Sequence, residues 1–417
     1  MKLFAPAPRL KLYTYLSDYF LIFISFIFLR VNKGSNLNKL AEKFKILTQK
    51  KYCIPVPMAR VGIYLIIKSL IKKNKNEVIL SPYTVADVIN MVVASGGIPI
   101  FADIDSNTCN IDPKNIENLI NKKTSLVLIT HFYGQVCDIA QITKICDKYT
   151  IPFVEDAAQA LGAKYQNRMA GSFGIAGIYS FGMYKNINSF YGGMIVTDSK
   201  YIFDSVTMTM KDWPTQDLLI YLKKVISGIT TDFVTNKYFF GIFFFRFFRW
   251  AFLNKINIIN NKLKIDVNPV LQKKIPNSYK VKMSDLQAKL VLGQLGNLEK
   301  NTYKRIELAR IWFNELKDIK QIIIPRYVDD LSHMFWYFPI QYKYRNDLVS
   351  YILKKGYDIS ESYHRNCSSL QCFKDYKKNC AKAQNTSDSL IYLPTYPGYL
   401  KDDAIKIARL IKSYFEK

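Results

Sequence analysis

Three features of this 417-residue chain predict an α/β fold, with a large domain on a mostly parallel central sheet flanked by helices and a smaller C-terminal α+β domain. Between Glu77 and Asp198, short runs rich in β-branched residues alternate with stretches of helical period, as βα units do. Polar residues gather at the ends of those runs, where parallel sheets bind ligands. Hydrophobic residues make up 49% and aromatics 14%, which excludes a disordered chain.

Taken in order, residues 1–54 read as a helical extension. It holds the uncharged run "YFLIFISFIFL", Tyr19 to Leu29, before Arg30. The run is too short for a bilayer span of about 20 residues, and Asp18 with the missing small-residue cleavage site argues against a signal peptide. A buried helix and an interfacial one both fit. Residues 55–216 form the large domain: "EVILSPYT" reads as strand and turn, "VADVINMVVASGG" as a glycine-closed helix and "IPIFADID" as strand. Then "IENLINKKT" reads as helix, "SLVLITHFYG" as strand, "IAQITKICDKYT" as helix and "IPFVED" as strand. Residues 217–265 interrupt the pattern with "YFFGIFFFRFFRWAFLNK", an aromatic face edged by Arg246, Arg249 and Lys255. Such a helix suits a membrane interface, a buried hairpin or an oligomer contact. Residues 266–417 form the smaller domain, opening with one long amphipathic helix capped by Ser284 and closing with a helix from Lys401-Asp402-Asp403.

The formal charge of +26, from 59 Lys and Arg against 33 Asp and Glu, attracts polyanions unless it is spread over solvated faces. An anionic membrane surface and phosphorylated substrates fit; no nucleic-acid motif supports specific DNA or RNA binding. Seven scattered cysteines point to a reduced, cytoplasmic protein rather than a disulfide framework. His364, Cys367, Cys372 and Cys380 lack a zinc knuckle, and no metal is expected.

Lys185 lies in "YSFGMYKNIN", after the strand that ends Glu155-Asp156 and before Gly192-Gly193. An aldehyde cofactor needs a lysine for an imine, a carboxylate beside its pyridine nitrogen and donors for its phosphate. Asp156, Ser180 and Lys185 supply these types close together, although spacing alone fits a solvated lysine and a helix-capping aspartate as well.

The segment "VEDAAQALGA…GSFGIAGIYSFGMYKNIN…GGMIVTD" resembles the DegT-type nucleotide-sugar aminotransferases, which are fold type I pyridoxal 5'-phosphate (PLP) enzymes. Similar stretches follow in the family's order: "EVILSPYTVADVINMVVASGGIPIFADID", "THFYGQ", "KMSDLQAKLVLGQL" and "LPTYPGYLKDDAIKIARLIK". Together they cover Pro55 to Ser199 and Met283 to Ser413. The resemblance implies that Lys185 is the Schiff-base lysine and proton carrier, Asp156 the partner of the pyridine nitrogen, Gln159 a contact on the ring-hydroxyl side and Ser180 a phosphate ligand. Arg60 and Val61 fall at its phosphate-binding dipeptide and Val85 at its ring-stacking position.

Departures from that pattern are Ala59-Arg60-Val61 in place of hydroxyl residues, Val85 for an aromatic, "SFYGG" for Gly-Glu-Gly-Gly, and Lys280 for an asparagine that reaches the neighbouring subunit. An arginine can still serve a dianion. The resemblance implies a homodimer that aminates a keto-sugar, expected to be nucleotide-linked, with an amino acid such as glutamate as donor. A sugar dehydratase of the same family would carry histidine at the lysine position. A scaffold that kept the fold without catalysis is the alternative from another class. His131, at a strand end, fits a structural role or a substrate-facing one; His333 and His364 receive no role.

Overall fold

A computed structural model describes residues 6–12, 14–256, 258, 260, 268–328 and 330–416. Its strands in chain order are β1 (Tyr52–Val56), β2 (Glu77–Leu80), β3 (Tyr83–Thr84), β4 (Ile98–Phe101), β5 (Thr124–Thr130), β6 (Phe153–Asp156) and β7 (Lys164–Tyr165). They continue with β8 (Arg168–Met169), β9 (Ala176–Ser180), β10 (Gly193–Thr197), β11 (Phe338–Gln341), β12 (Ser360–Glu361), β13 (Arg365–Asn366) and β14 (Leu390–Leu393).

Seven of them make the central sheet, ordered β1-β10-β9-β6-β5-β2-β4. Pairing is parallel from β4 to β9, and β10 alone runs against its neighbours. The predicted parallel α/β sheet is therefore present. Both faces are covered, which is why β5 reads as an unbroken apolar run and is buried along its whole length. Leu126 and Leu128 face the main core with Val78, Val154 and Ile178, whereas Val127 and Ile129 face a second core with Ile142 and Phe153. Helix Ala59–Leu70 crosses the main face at Gly62, where a Cβ would lie 2.4 Å from the Ile178 side chain.

The smaller unit packs the antiparallel order β11-β14-β12 under helices Leu298–Leu316, Arg345–Lys354 and Lys401–Phe415. Trp312, Phe338 and Ile407 are enclosed there. Between the units, β13 pairs with β3, so Arg365–Asn366 is stitched to Tyr83–Thr84.

Several sequence expectations shift. Strand β1 runs through the boundary expected after residue 54, because its register with β10 continues from Tyr52 to Val56. The helix expected at Ile116–Thr124 is only Pro113–Glu117. Asn121 accepts from Lys123 N–H, and its own N–H donates to Thr124, so side chains compete for the backbone and form a turn. The long helix after Ser284 is two, Asp285–Leu295 and Leu298–Leu316, broken at Gly296-Asn297 by two poor helix formers. Ser284 does cap the first, with Gln287 closing a capping box. That first helix contributes Ala288 and Val291 to the main core, so it belongs with the large sheet.

The run at Tyr19–Leu29 lies on helix Leu16–Ile27, seated through Ile22 beside Leu286 and Leu290. The expected insertion contains helix Leu218–Val234, a one-turn helix Lys237–Phe239, a π-helical turn Phe240–Phe244 and helix Phe245–Leu253. Its residues 257, 259 and 261–265, and the boundary at 265/266, lie outside the described residues.

Candidate active site

Asp156 is the last residue of β6 and Ser180 the last of its parallel neighbour β9, so both stand at carboxyl ends in the middle of the sheet. Alternation along β6 separates the acid pair. Glu155 points into the 171–174 turn, accepting from the N–H groups of Gly171, Phe173 and Gly174, while Asp156 accepts from Ala158 N–H at 3.0 Å.

Lys185 sits in the connection from β9 to β10, its N–H bonded to Gly182 O at 2.9 Å. Its ammonium lies 4.1 Å from the centroid of the Trp336 ring. Burial lowers its pKa to about 8, against the pull of Asp156 and helped by the repulsion of Arg60. Asp156 is shifted the other way: burial raises its carboxyl above the usual range, opposed by the Ala158 N–H and by the charges of Lys185 and His131. The two groups therefore sense each other across the strand ends.

Gly193 faces Ser180 in the β9–β10 register. A Cβ there would meet Tyr179 O at 2.8 Å and Ala59 N at 2.9 Å, so the glycine lets the start of helix Ala59–Leu70 close onto the strand that ends in Ser180. The first intrahelical bond of that helix is Gly62 N–H to Met58 O, which leaves the amides of Ala59, Arg60 and Val61 without helical acceptors. Val61 is buried, so it offers its backbone and not its side chain. The Arg60 guanidinium is ion-paired with Asp87, in the first turn of helix Ala86–Ala94, and lies over Tyr279. Val85 is the N-cap of that helix, half-buried in a small cleft with Tyr363 and Arg365.

Gln159 is held from both units. Its Oε1 accepts from Tyr133 N–H at 2.8 Å and its Nε2 donates to His364 Nε2 at 3.2 Å. With that nitrogen accepting, His364 Nδ1–H donates to Tyr392 Oη, which bonds Ser362, then Tyr83, then Tyr133. Burial first, and Lys185 second, lower the His364 pKa to about 3, so the ring is neutral.

His364 is thus a neighbour of the site, and Trp336, Asp87 and Tyr392 join it without any signal in local spacing. Trp336 and Tyr392 come from the smaller unit, far along the chain, and only tertiary folding delivers them. His131 takes the structural alternative: it is wholly buried, donating from Nε2 to Glu155 and accepting at Nδ1 from Cys137 N–H. His333 is buried against Phe335. Cys367 faces Thr84 O, and no group of three or more metal-ligating side chains forms among the described residues. An open groove of about 1030 Å³, lined by Leu37, Ala41, Phe203, Met208 and Met283, contains none of the residues above.

The donor set fits PLP. Unpaired helix amides with a hydroxyl and a guanidinium suit a phosphate dianion, a buried carboxylate suits a pyridinium, and an amine of depressed pKa suits an aldehyde.

Comparison with known proteins agrees. The model of the DegT/DnrJ/EryC1/StrS aminotransferase family matches residues 29–212 and 263–412. The spore coat polysaccharide biosynthesis protein SpsC of Bacillus subtilis is 26% identical over 92% of this chain and 90% of its own length. GDP-perosamine synthase of Vibrio cholerae is 23% identical, covering 92% of each chain. The solved structure of Helicobacter pylori PseC, an aminotransferase involved in the biosynthesis of pseudoaminic acid, superposes with a TM-score of 0.77 at 18% identity, over 99% of this chain and 100% of that one. Two separate stretches that match one family model, around a site with that donor set, place the chain in the DegT/DnrJ/EryC1/StrS family of PLP-dependent aminotransferases.

Proposed function

We propose that this aminotransferase converts a nucleotide-linked keto-sugar to an amino-sugar, taking nitrogen from an amino acid such as glutamate, in cell-surface polysaccharide or glycolipid synthesis. The observation that carries the reading is the amine of Lys185, brought to about pH 8 beside Asp156 and the Ala59–Val61 amides. The names of SpsC and GDP-perosamine synthase support the sugar and the polysaccharide setting.

Lys185 would hold the cofactor covalently, Asp156 its ring nitrogen, Gln159 its hydroxyl side and Val85 a ring face. Ser180, Arg60 and the Val61 amide would hold its phosphate. Bound, PLP supplies the electron sink that lets a proton leave the substrate carbon. Lys185 Nζ takes that proton and returns it elsewhere, a task suited to a pKa near the working pH. Trp336, packed over the same amine, walls the site from water. Asp156 keeps negative charge opposite the ring, and Gln159 is fixed by Tyr133 and His364 so that its amide need not reorganise.

The same reading includes a four-part chain (1–54, 55–216, 217–265, 266–417), a homodimer, and a cytoplasmic enzyme at the inner face of a membrane. The apolar groove beside helix Asn36–Thr48 supports a second copy. Sedimentation tests the dimer. The competing scaffold reading is favoured by Arg60, whose charge is already taken by Asp87. One experiment decides: the visible spectrum of the protein with PLP, before and after borohydride, with peptide mapping. A reduced adduct at Lys185, absent from Lys185→Ala, is expected, followed by turnover of keto-sugars in a donor screen. Folded protein that forms no adduct with excess PLP would overturn the enzyme reading.

A further inference from the structure

Two stretches that the family model leaves out, before residue 29 and from 213 to 262, are packed together through their helices. Tyr19 donates to Asp232, and Phe26 stacks on Tyr221, so helices Leu16–Ile27 and Leu218–Val234 lie antiparallel. Each is seated by one stripe and leaves a second apolar stripe in solvent.

On the first helix the outer stripe is Leu16, Phe20, Phe23 and Ile27, opposite the buried Ile22 and Ser25. On the second it is Leu219, Leu222, Ile226, Ile229 and Phe233, beside the buried Tyr221, Val225 and Gly228. A third, Phe239, Phe243, Phe247 and Trp250, continues through the π-helical turn, anchored in the smaller unit's core by Phe240 of that turn and Phe245 of the helix after it. Phe233 and Phe239 have ring centroids 4.9 Å apart, which joins the second stripe to the third. Exposed apolar surface on this scale marks an interaction face.

Charge decides the occupant. Arg30, Lys33, Lys223, Lys224, Lys237 and Arg246 are exposed around these stripes. Of the three acids in the same segments, Asp18 is buried against Tyr15 N–H and Gln294, Asp232 accepts from Tyr19, and Asp217, exposed, caps the start of helix Leu218–Val234 by accepting from Ile220 N–H. A symmetric contact with a second copy would set this basic rim against itself. Aromatic and aliphatic stripes edged by six exposed cations against one exposed acid, Asp217, match the headgroup region of an anionic bilayer. No helix among the described residues is long and apolar enough to cross a membrane.

We infer that the three stripes form one membrane-docking platform, by which the enzyme lies on an anionic lipid surface without spanning it. The inference makes specific the membrane-face part of the function proposed above and is independent of its chemistry.

The test is flotation of the full chain with vesicles of phosphatidylcholine alone and of phosphatidylcholine mixed with phosphatidylglycerol. Wild type floats with the anionic vesicles, less so in high salt and with the neutral ones. The double variants Phe20→Asp/Phe23→Asp and Phe247→Asp/Trp250→Asp, altered only at exposed side chains, each lose at least about tenfold in vesicle affinity. Their adduct at Lys185 is retained, which shows that they fold. Wild type that never floats, variants that float as well as wild type, or variants that instead turn a dimer into a monomer would overturn the platform. Loss of the Lys185 adduct with flotation intact sinks only the enzyme reading.

Discussion

The Lys185 ammonium and the Trp336 ring, 4.1 Å apart, join an amine of the large unit to an aromatic of the small one. Burial lowers the amine's pKa to about 8 against the pull of Asp156, and the ring face adds attraction for its charged form. Free amine therefore accumulates as pH rises towards that value. The rate of PLP capture by apoenzyme climbs about tenfold per unit below about pH 8 and then levels. Trp336→Leu removes roughly 1 kcal/mol of cation–π attraction and moves the plateau to lower pH. Stopped-flow absorbance against pH reads both; an unchanged midpoint in the variant would discount the contact.

Gly193→Ala puts a methyl group against two backbone atoms, Tyr179 O and Ala59 N, neither of which can rotate away. The helix start must lift off the strand that ends in Ser180. A stability loss of about 1–3 kcal/mol is expected. PLP affinity should fall further than affinity for pyridoxal, which has no phosphate. Equal losses for the two ligands would mean that the amides do not hold phosphate.

Arg60→Ala removes a cation from the same corner and leaves Asp87 unpaired. PLP binding is expected to weaken by about tenfold or more, with pyridoxal little affected. Asp87→Asn should do the reverse, freeing the guanidinium and tightening PLP. Equilibrium titration of apoenzyme with the two vitamers separates these outcomes.

His364→Phe leaves the Gln159 amide and the Tyr392 hydroxyl without their buried partner, at roughly 1–3 kcal/mol for each. It also changes the acid limb. His364 is lowered from 6.5 to about 3 by burial, so between those values the unfolded chain binds more protons than the folded one and stability falls as pH falls. His333, lowered to about 3 by burial, adds a parallel loss. Urea midpoints from pH 7 to pH 4 should therefore slope less steeply in the variant than in wild type.

Thiol chemistry should be selective. Cys372 is the partly exposed cysteine; the others are buried, and burial pushes Cys53 and Cys146 up to about 12. Ellman's reagent should find Cys372 before the rest, and all seven only after unfolding. Several fast thiols in native protein would contradict this core.

The sheet was legible because its strands are buried on both faces, and so was the gathering of Asp156, Ser180 and Lys185 near strand ends, although their candidate roles came from the family resemblance and not from spacing. Glu155 and Asp156 looked alike in sequence, and only the alternation of β6 assigns one to a turn and the other to the site. Trp336, His364 and Tyr392 were illegible for a different reason. They reach Lys185 and Gln159 through packing between units, which leaves no period or motif in the chain. The apolar run at Tyr19 was visible, yet its partner was not, since helix Leu218–Val234 meets it by tertiary contact.

The stitch of β13 to β3, with Tyr83 bonded to Tyr133 and Ser362 in the same buried seam, also bears on motion between the two units. Swinging the small unit outward would tear ladder and hydroxyl bonds that no water could replace before the seam opened. Any hinge between the units is therefore resisted at this seam. With the seam closed, Lys185 is still half-buried rather than sealed, next to the exposed Tyr184.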